Sequence, residues 1–128
     1  MAQQKHLLSV IELGGYPNFT RLYEAAGFVV QMEKSVRNAI RAMKKVPPAV
    51  VVAEFNFQSD FRDRTSSLES LLSTVQRLEN CQVIVFYEKE YQQQLEKLTA
   101  QYELYATLAF PVDEAELERL LQAASSLQ

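Results

Sequence analysis

A run of apolar residues in the middle of the chain is the most strongly patterned segment of the sequence. Positions 49–53 are all apolar and three of them are valine, which is typical of a strand buried on both faces in the middle of a parallel sheet. Pro47 and Pro48 precede the run and end any helix that leads into it. Glu54 follows at its carboxyl end. In open α/β sheets, ligands bind just beyond the carboxyl ends of the central strands, so the pattern places Glu54 where such a fold would hold a site.

Shorter apolar runs predict four more strands, and apolar residues at helical spacing predict five helices between and after the strands. The five predicted strands cover residues 7–11, 28–32, 49–54, 81–87 and 104–109. The helical stripes run over residues 19–26, 36–46, 68–78, 91–102 and 117–124. Strands that alternate with helices indicate a parallel sheet covered on both faces, because parallel neighbours need crossover helices. We therefore expect one α/β domain over residues 1–128.

Polar residues at the predicted helix ends support these boundaries. Asn18 is expected to cap the first helix, and Gly27 is expected to follow its last turn. Ser66 with Glu69 forms a Ser-x-x-Glu pattern, which predicts a capping box at the start of the third helix. Asp113, with a glutamate three residues later, predicts the same arrangement at the start of the fifth.

Composition and charge narrow the function classes. The chain has 128 residues, of which 48% are hydrophobic and 23% are charged, as expected for one globular domain. A net charge of −3 argues against direct nucleic-acid binding, which needs clustered lysine and arginine in excess. The single cysteine, Cys81, allows no internal disulfide, and the sequence shows neither a secretory signal nor a membrane-spanning run. We expect a cytoplasmic protein without direct membrane contact, and whether an output domain follows stays open.

In element order, and over essentially its whole length, the chain resembles the receiver domain of bacterial response regulators. Two short motifs carry the resemblance. Residues 52–56 (Val-Ala-Glu-Phe-Asn) are similar to the strand that bears the phospho-acceptor, and residues 108–113 (Leu-Ala-Phe-Pro-Val-Asp) are similar to the terminal Lys-Pro segment. The resemblance implies a CheY-like, flavodoxin-like sheet of five parallel strands in the order 2-1-3-4-5, with five helices. It also implies a cis peptide bond between Phe110 and Pro111, since X–Pro bonds adopt cis far more readily than others.

The residues that carry phosphorylation in that family are replaced here. The family needs an aspartate acceptor, two acids after the first strand that hold a divalent cation, a hydroxyl residue after the fourth strand, and a lysine before the last proline. The matching positions, in the same order, hold Glu54, Ile11 and Glu12, Tyr87, and Phe110. Thr107 stands where the family has its switch aromatic. The resemblance therefore implies a degenerate pseudo-receiver with no catalytic residues, no metal ion and no cofactor.

Two interpretations of Glu54 stay open. Its permanent charge would imitate a phosphorylated acceptor, or it is a strand-end carboxylate without chemistry. Without the lysine, Glu12 and Glu54 would repel each other and favour protonation of one of them. Arg62 or Arg64 could fold back to neutralise the pair.

Three tyrosines lie around the predicted fourth helix and fifth strand, the face that receivers commonly use to pair. These interface candidates are Tyr91, Tyr102 and Tyr105. Tyrosine is enriched at interfaces, but a half-buried edge of the core explains the three rings equally well. We expect a protein partner, or a second copy of the chain, on the surface formed by the fourth helix, fifth strand and fifth helix.

The expected function is that of a phosphorylation-independent interaction module in bacterial signal transduction, and not that of an enzyme. The alternative is a small-molecule sensor. In that case the altered acidic pocket, lined by Ile11, Tyr87 and Phe110, accepts an apolar or aromatic ligand. An open apolar cavity at that site would favour sensing, whereas a Phe110 ring that fills it would favour a fixed scaffold.

Overall fold

The computed structural model describes residues 5–11, 18–55, 64–78 and 80–126, in which strands and helices alternate. The strands are β1 (Lys5–Val10), β2 (Phe28–Glu33), β3 (Val50–Glu54), β4 (Gln82–Tyr87) and β5 (Ala106–Ala109). The helices are α1 (Thr20–Ala25), α2 (Val36–Lys45), α3 (Arg64–Val75), α4 (Gln92–Thr99) and α5 (Glu114–Ser126). A single 3₁₀ turn, Lys89–Tyr91, leads into α4.

The five strands form one parallel sheet in the order β2-β1-β3-β4-β5. This order confirms the predicted fold class. β3 lies between β1 and β4, and all five of its residues are buried. The prediction of a central strand covered on both faces is therefore confirmed.

Each face of the sheet carries its own apolar core, because alternate residues of a strand point to opposite faces. Val51 and Ala53 of β3 belong to the core under α2, α3 and α4, which we call the α2–α4 core. Its buried helix residues are Val36, Ala39, Met43, Leu68, Leu71, Leu72, Val75, Leu95 and Leu98. Val50 and Val52 belong to the opposite core, the α1/α5 core, whose other buried members include Phe19, Tyr23, Phe28, Phe86, Leu117 and Leu121.

Local capping explains where several helices begin and end. The Asn18 Oδ1 atom accepts a hydrogen bond from the backbone N–H of Thr20 at 2.9 Å, and the Asp113 Oδ1 atom accepts one from Ala115 at 3.0 Å. Asp113 caps α5 as predicted, whereas the N-cap residue of α1 is Phe19, so Asn18 lies one position before the cap. Gly27 follows α1 with a φ of 100°, a conformation that favours glycine.

The bounds of α3 differ from the sequence prediction. α3 begins at Arg64 and ends at Val75, so Ser66 lies inside the helix and the predicted capping box is wrong. A Ser-x-x-Glu spacing forms a capping box only where the serine is the residue before the first helical turn, and here the helix already begins two residues earlier. Leu78 lies beyond the helix but still packs against the α2–α4 core.

α4 and β5 are both shorter than predicted. Tyr91 and Tyr102 flank α4 instead of lying inside it. β5 begins at Ala106, although the backbone N–H of Tyr105 already donates to the carbonyl of Val83 at 2.9 Å. The apolar side chains before and after these elements face the cores, and that is why their pattern continues beyond the regular backbone.

Replacing Gly27 with alanine should destabilise the fold by about 1–2 kcal/mol, because a Cβ atom is disfavoured at positive φ. No atom lies within 4 Å of where that Cβ would be, so the cost is conformational and not steric. Urea denaturation measures the change, and Gly27→Asn, which tolerates positive φ better, is the control. Equal stability of wild type and Gly27→Ala would contradict the assigned backbone conformation.

Candidate functional site

The carboxyl ends of the three central strands bring Val10, Glu54 and Tyr87 to the same edge of the sheet. Hydrogen bonds extend beyond the regular strands at this edge. The N–H of Phe55 donates to the carbonyl of Phe86 at 2.8 Å, so β3 and β4 stay joined up to the site. The edge is therefore a rigid position for the side chains that end the strands.

Glu54 is buried at this edge. Its side chain is 6% exposed, and the one other polar residue buried in the described parts of the chain is Ser9, at 3%. Ser9 lies beside Val52 in the register of β1 and β3, so Ser9 and Glu54 are on the same side of the sheet. Sequence reasoning missed Ser9, whose one signal is a hydroxyl within an otherwise apolar strand.

The sheet separates Glu54 from Tyr87. Glu54 shares its strand face with Val50 and Val52, which belong to the α1/α5 core. Tyr87 packs instead against the α2–α4 core, on the other face. The two positions are neighbours in the fold, but their side chains leave the sheet in opposite directions.

Phe110 follows β5 and remains partly exposed. Its backbone N–H donates to the carbonyl of Tyr87 at 2.8 Å, and its peptide bond with Pro111 is cis, as expected. The residue is 41% exposed, so its ring does not act as a buried plug. The pocket lined by Ile11, Tyr87 and Phe110 stays a prediction.

The three interface tyrosines are divided between the two faces. Tyr91 and Tyr102 pack against the α2–α4 core, whereas Tyr105 packs against the α1/α5 core. The hydroxyl of Tyr105 donates to the carbonyl of Leu120 at 3.0 Å, and the hydroxyls of Tyr102 and Ser73 are 3.1 Å apart. The hydroxyls of Tyr102 and Tyr105 thus lie within hydrogen-bond distance of groups of the same molecule, at the edge of the core.

Thr107 lies in the middle of β5 and is exposed. It pairs with Val85 in the register of β4 and β5. β5 has a neighbour on one side alone. Thr107 therefore lies on an edge strand, with its side chain exposed.

A cavity of about 480 Å³ lies at the opposite end of the sheet, between the end of α3 and the starts of β4 and β5. Its lining includes Leu72, Val75, Cys81, Val83, Tyr102 and Leu104. Nothing in the sequence pattern pointed to it, because these residues are also those expected of a core edge.

Comparison with solved structures identifies the architecture. A CheY-like receiver domain from Methylobacillus flagellatus superposes with a TM-score of 0.72 at 22% identity, over 95% of this chain and 99% of that one. The signal receiver domain of an HD domain-containing protein from Pseudomonas fluorescens Pf-5 gives 0.73 at 15% identity, over 96% and 95%. The fold is that of a CheY-like receiver. The pilus assembly protein CpaE from Caulobacter crescentus also matches, with a TM-score of 0.61 at 15% identity, over 92% of this chain and 91% of that one.

Sequence comparison adds nothing to the receiver assignment: no family model matches, and no curated protein matches significantly. Within the described ranges, no helix is both long and apolar enough to cross a membrane.

The receiver fold implies a divalent cation at the carboxyl edge, and the described residues do not fit one. A hard cation needs about six oxygen ligands, whereas the three central strands end in one carboxylate, Glu54, beside an aliphatic and a phenolic side chain. No cluster of three His, Cys, Asp or Glu side chains occurs in the parts of the chain that the structure covers. Glu12 and Arg62 lie outside the described residues. The repulsion between Glu12 and Glu54 therefore stays a prediction.

Cys81 should react slowly with iodoacetamide in the folded protein. Burial raises the pKa of its thiol to about 12, so the thiolate fraction at pH 8 is roughly 10⁻⁴, and alkylation should be at least about 100-fold slower than in the urea-unfolded chain. The folded chain keeps the thiol proton to a higher pH than the unfolded chain does. The contribution of this thiol to the free energy of unfolding is therefore fully present below its ordinary pKa of 9.0 and is lost as the pH rises towards 12. Mass spectrometry of timed samples measures the alkylation rate, and equal rates in both states would contradict a buried thiol.

Proposed function

We propose that this chain is a regulatory module with a receiver fold that acts through protein contacts, without a phosphorylation switch, in a bacterial signalling assembly. The observation that supports this best is the set of residues at the carboxyl edge of the sheet. A buried glutamate ends β3, where a receiver has its acceptor aspartate, and Phe110 stands in place of the lysine. On this proposal the protein works in the cytoplasm and is not an enzyme.

The burial of Glu54 is a physical reason to expect no phosphoryl transfer. An acceptor carboxylate must present an oxygen in line with the donor phosphorus, and cations must neutralise the charge that develops. Glu54 is 6% exposed, and Phe110 offers an aromatic ring instead of an ammonium group. Both requirements are poorly met.

A receiver fold without this chemistry would present one surface at all times. Nothing at the end of β3 would then alternate between two charge states, so partner binding would be constitutive. Glu54 takes part in this as a fixed component of the edge, whether its charge imitates a phosphorylated acceptor or supports local packing alone.

The surface that we propose for the partner is the α4–β5–α5 face, formed by α4, β5 and α5. β5 is an edge strand with exposed Thr107 near its centre, and Phe110, at 41% exposure, lies at its end. An exposed aromatic side chain beside an open sheet edge is a common anchor for a protein partner. The half-buried rings of Tyr102 and Tyr105 would form the margin of the contact.

Acetyl phosphate with Mg²⁺ should leave the mass of the intact protein unchanged, because acceptor, metal ligands and lysine are all altered. Intact-mass spectrometry after incubation is the measurement, with a phosphorylatable receiver as the positive control. A stoichiometric gain of one phosphoryl group that disappears in Glu54→Gln would overturn the proposal.

Thr107→Arg should weaken binding of the partner about tenfold or more, because it places a bulky cation in the middle of the proposed contact. Gln31→Arg, at the exposed centre of the opposite edge strand β2, is the matched control and should bind like the wild type. Quantitative mass spectrometry of proteins captured by each variant from the source organism compares the two. Capture that is lost with Gln31→Arg and kept with Thr107→Arg would move the contact to the other edge.

A further inference from the structure

α2 presents a strongly basic surface. Between residues 34 and 53 the chain contains no aspartate or glutamate and five cationic residues, all exposed: Lys34, Arg37, Arg41, Lys44 and Lys45. The opposite side of α2 is held in the α2–α4 core by Val36, Ala39 and Met43. The helix therefore cannot turn these charges inward, and we call this surface the basic edge.

The other end of the chain is strongly acidic. Residues 88–119 contain eight carboxylates against three cations, Lys89, Lys97 and Arg119. The carboxylates, all exposed, are Glu88, Glu90, Glu96, Glu103, Asp113, Glu114, Glu116 and Glu118. They lie on and around α4 and α5, and we call this surface the acidic edge.

The two surfaces lie at opposite margins of the sheet. α2 contacts β1 and β2, whereas α4 connects β4 to β5 and the acidic residues of α5 lie in its first half, directly after β5. The end of α5 crosses towards β1, where the carbonyl of Ser125 accepts a hydrogen bond from Lys5. Four strand spacings, roughly 19 Å, separate β2 from β5. This strand separation exceeds the Debye length of about 8 Å at physiological salt, so attraction between charges at the two margins of one molecule is largely screened.

We infer that the basic edge of one molecule docks on the acidic edge of a second copy, head to tail. Charge complementarity carries this inference, and each edge also offers one exposed apolar side chain for the centre of a contact. Val46, at 42% exposure, directly follows Lys44 and Lys45, and Phe110, at 41%, precedes the acidic start of α5. The role given to the acidic edge rests on the proposed use of the α4–β5–α5 face, whereas the role given to the basic edge is independent of that proposal.

Other occupants fit less well. A symmetric dimer through the α4–β5–α5 face would oppose acid to acid, which is unfavourable. A bilayer would need an apolar helix face to insert, and that face of α2 is buried. A single-stranded nucleic acid would need aromatic side chains on which its bases stack, and residues 34–46 contain none.

A head-to-tail contact between different surfaces leaves a free basic edge and a free acidic edge at the two ends of the pair. Unless the rotation closes a ring, such contacts continue into linear assemblies. The association should therefore grow beyond a dimer with concentration and weaken with salt.

Sedimentation velocity on the whole chain tests this inference with two neutralised variants. The basic-edge variant carries Arg41→Gln, Lys44→Gln and Lys45→Gln, and the acidic-edge variant carries Glu114→Gln, Glu116→Gln and Glu118→Gln. At about 20 mM salt the wild type should form species larger than a dimer, and at about 0.5 M it should be monomeric. Each variant alone should associate at least about tenfold more weakly than the wild type. An equimolar mixture of the two retains one intact contact and should stop at the dimer.

Lys89→Gln with Lys97→Gln is the matched control, because it removes cations from the acidic edge and should leave the association equal or stronger. A wild-type chain that is monomeric at low salt, or association that the basic-edge variant retains, would overturn the inference. If the acidic-edge variant alone loses association, the face of the proposed function is right and α2 is not its counterpart. Binding of duplex DNA or of phosphatidylglycerol vesicles by the basic edge of a monomeric chain would also overturn the inference.

Discussion

Because every residue of β3 is buried, neither face of the central strand can be left to solvent, and helices must cover both sides of the sheet. The chain satisfies this with α2, α3 and α4 on one face and α1 and α5 on the other. Apolar burial at roughly 25 cal/mol per Å² drives this arrangement, and the parallel direction of the strands makes the crossover helices available. This burial also determines the position of the candidate site, because β3 can carry a polar residue only at its end, beyond the two apolar cores.

Phosphoryl transfer needs several oxygens and a cation, whereas the described ends of the three central strands hold Val10, the buried carboxylate of Glu54 and the phenol of Tyr87. The described surface carries a basic helix at one margin and acidic helices at the other, and on our proposal this surface is where a partner binds.

Much of this architecture could be predicted from the sequence, for identifiable reasons. The valines of β3 have a pattern that only a doubly covered strand explains, and Gly27 and Asp113 end or begin helices through backbone chemistry that their side chains dictate. Predictions failed where a local pattern competes with its surroundings. Ser66 has capping spacing but lies inside α3, and Tyr91 and Tyr102 continue an apolar stripe beyond the helix that they flank.

The site itself was less predictable than the fold. Position along the chain placed Glu54 and Tyr87 at one edge correctly, but the face to which each points depends on strand parity and register, which a run of uniformly apolar residues does not reveal. The cavity near Cys81 was invisible for the same reason. Its apolar lining residues follow the same pattern as a packed core, and its polar ones, such as Gln76 and Gln82, follow that of an ordinary surface.

The parity of β3 also determines which parts of the molecule would sense a change at its end. Glu54 lies beside Phe86 in the register of β3 and β4, and the Phe86 ring meets that of Phe19 edge-on at 5.9 Å. A change of size or charge at this position would reach the segment that leads into α1 through two aromatic rings, whereas α3 and α4 lie behind the backbone of the sheet. The side chains beside Glu54 therefore belong to the layer of α1 and α5, and the backbone of the sheet stands between them and the layer of α3 and α4.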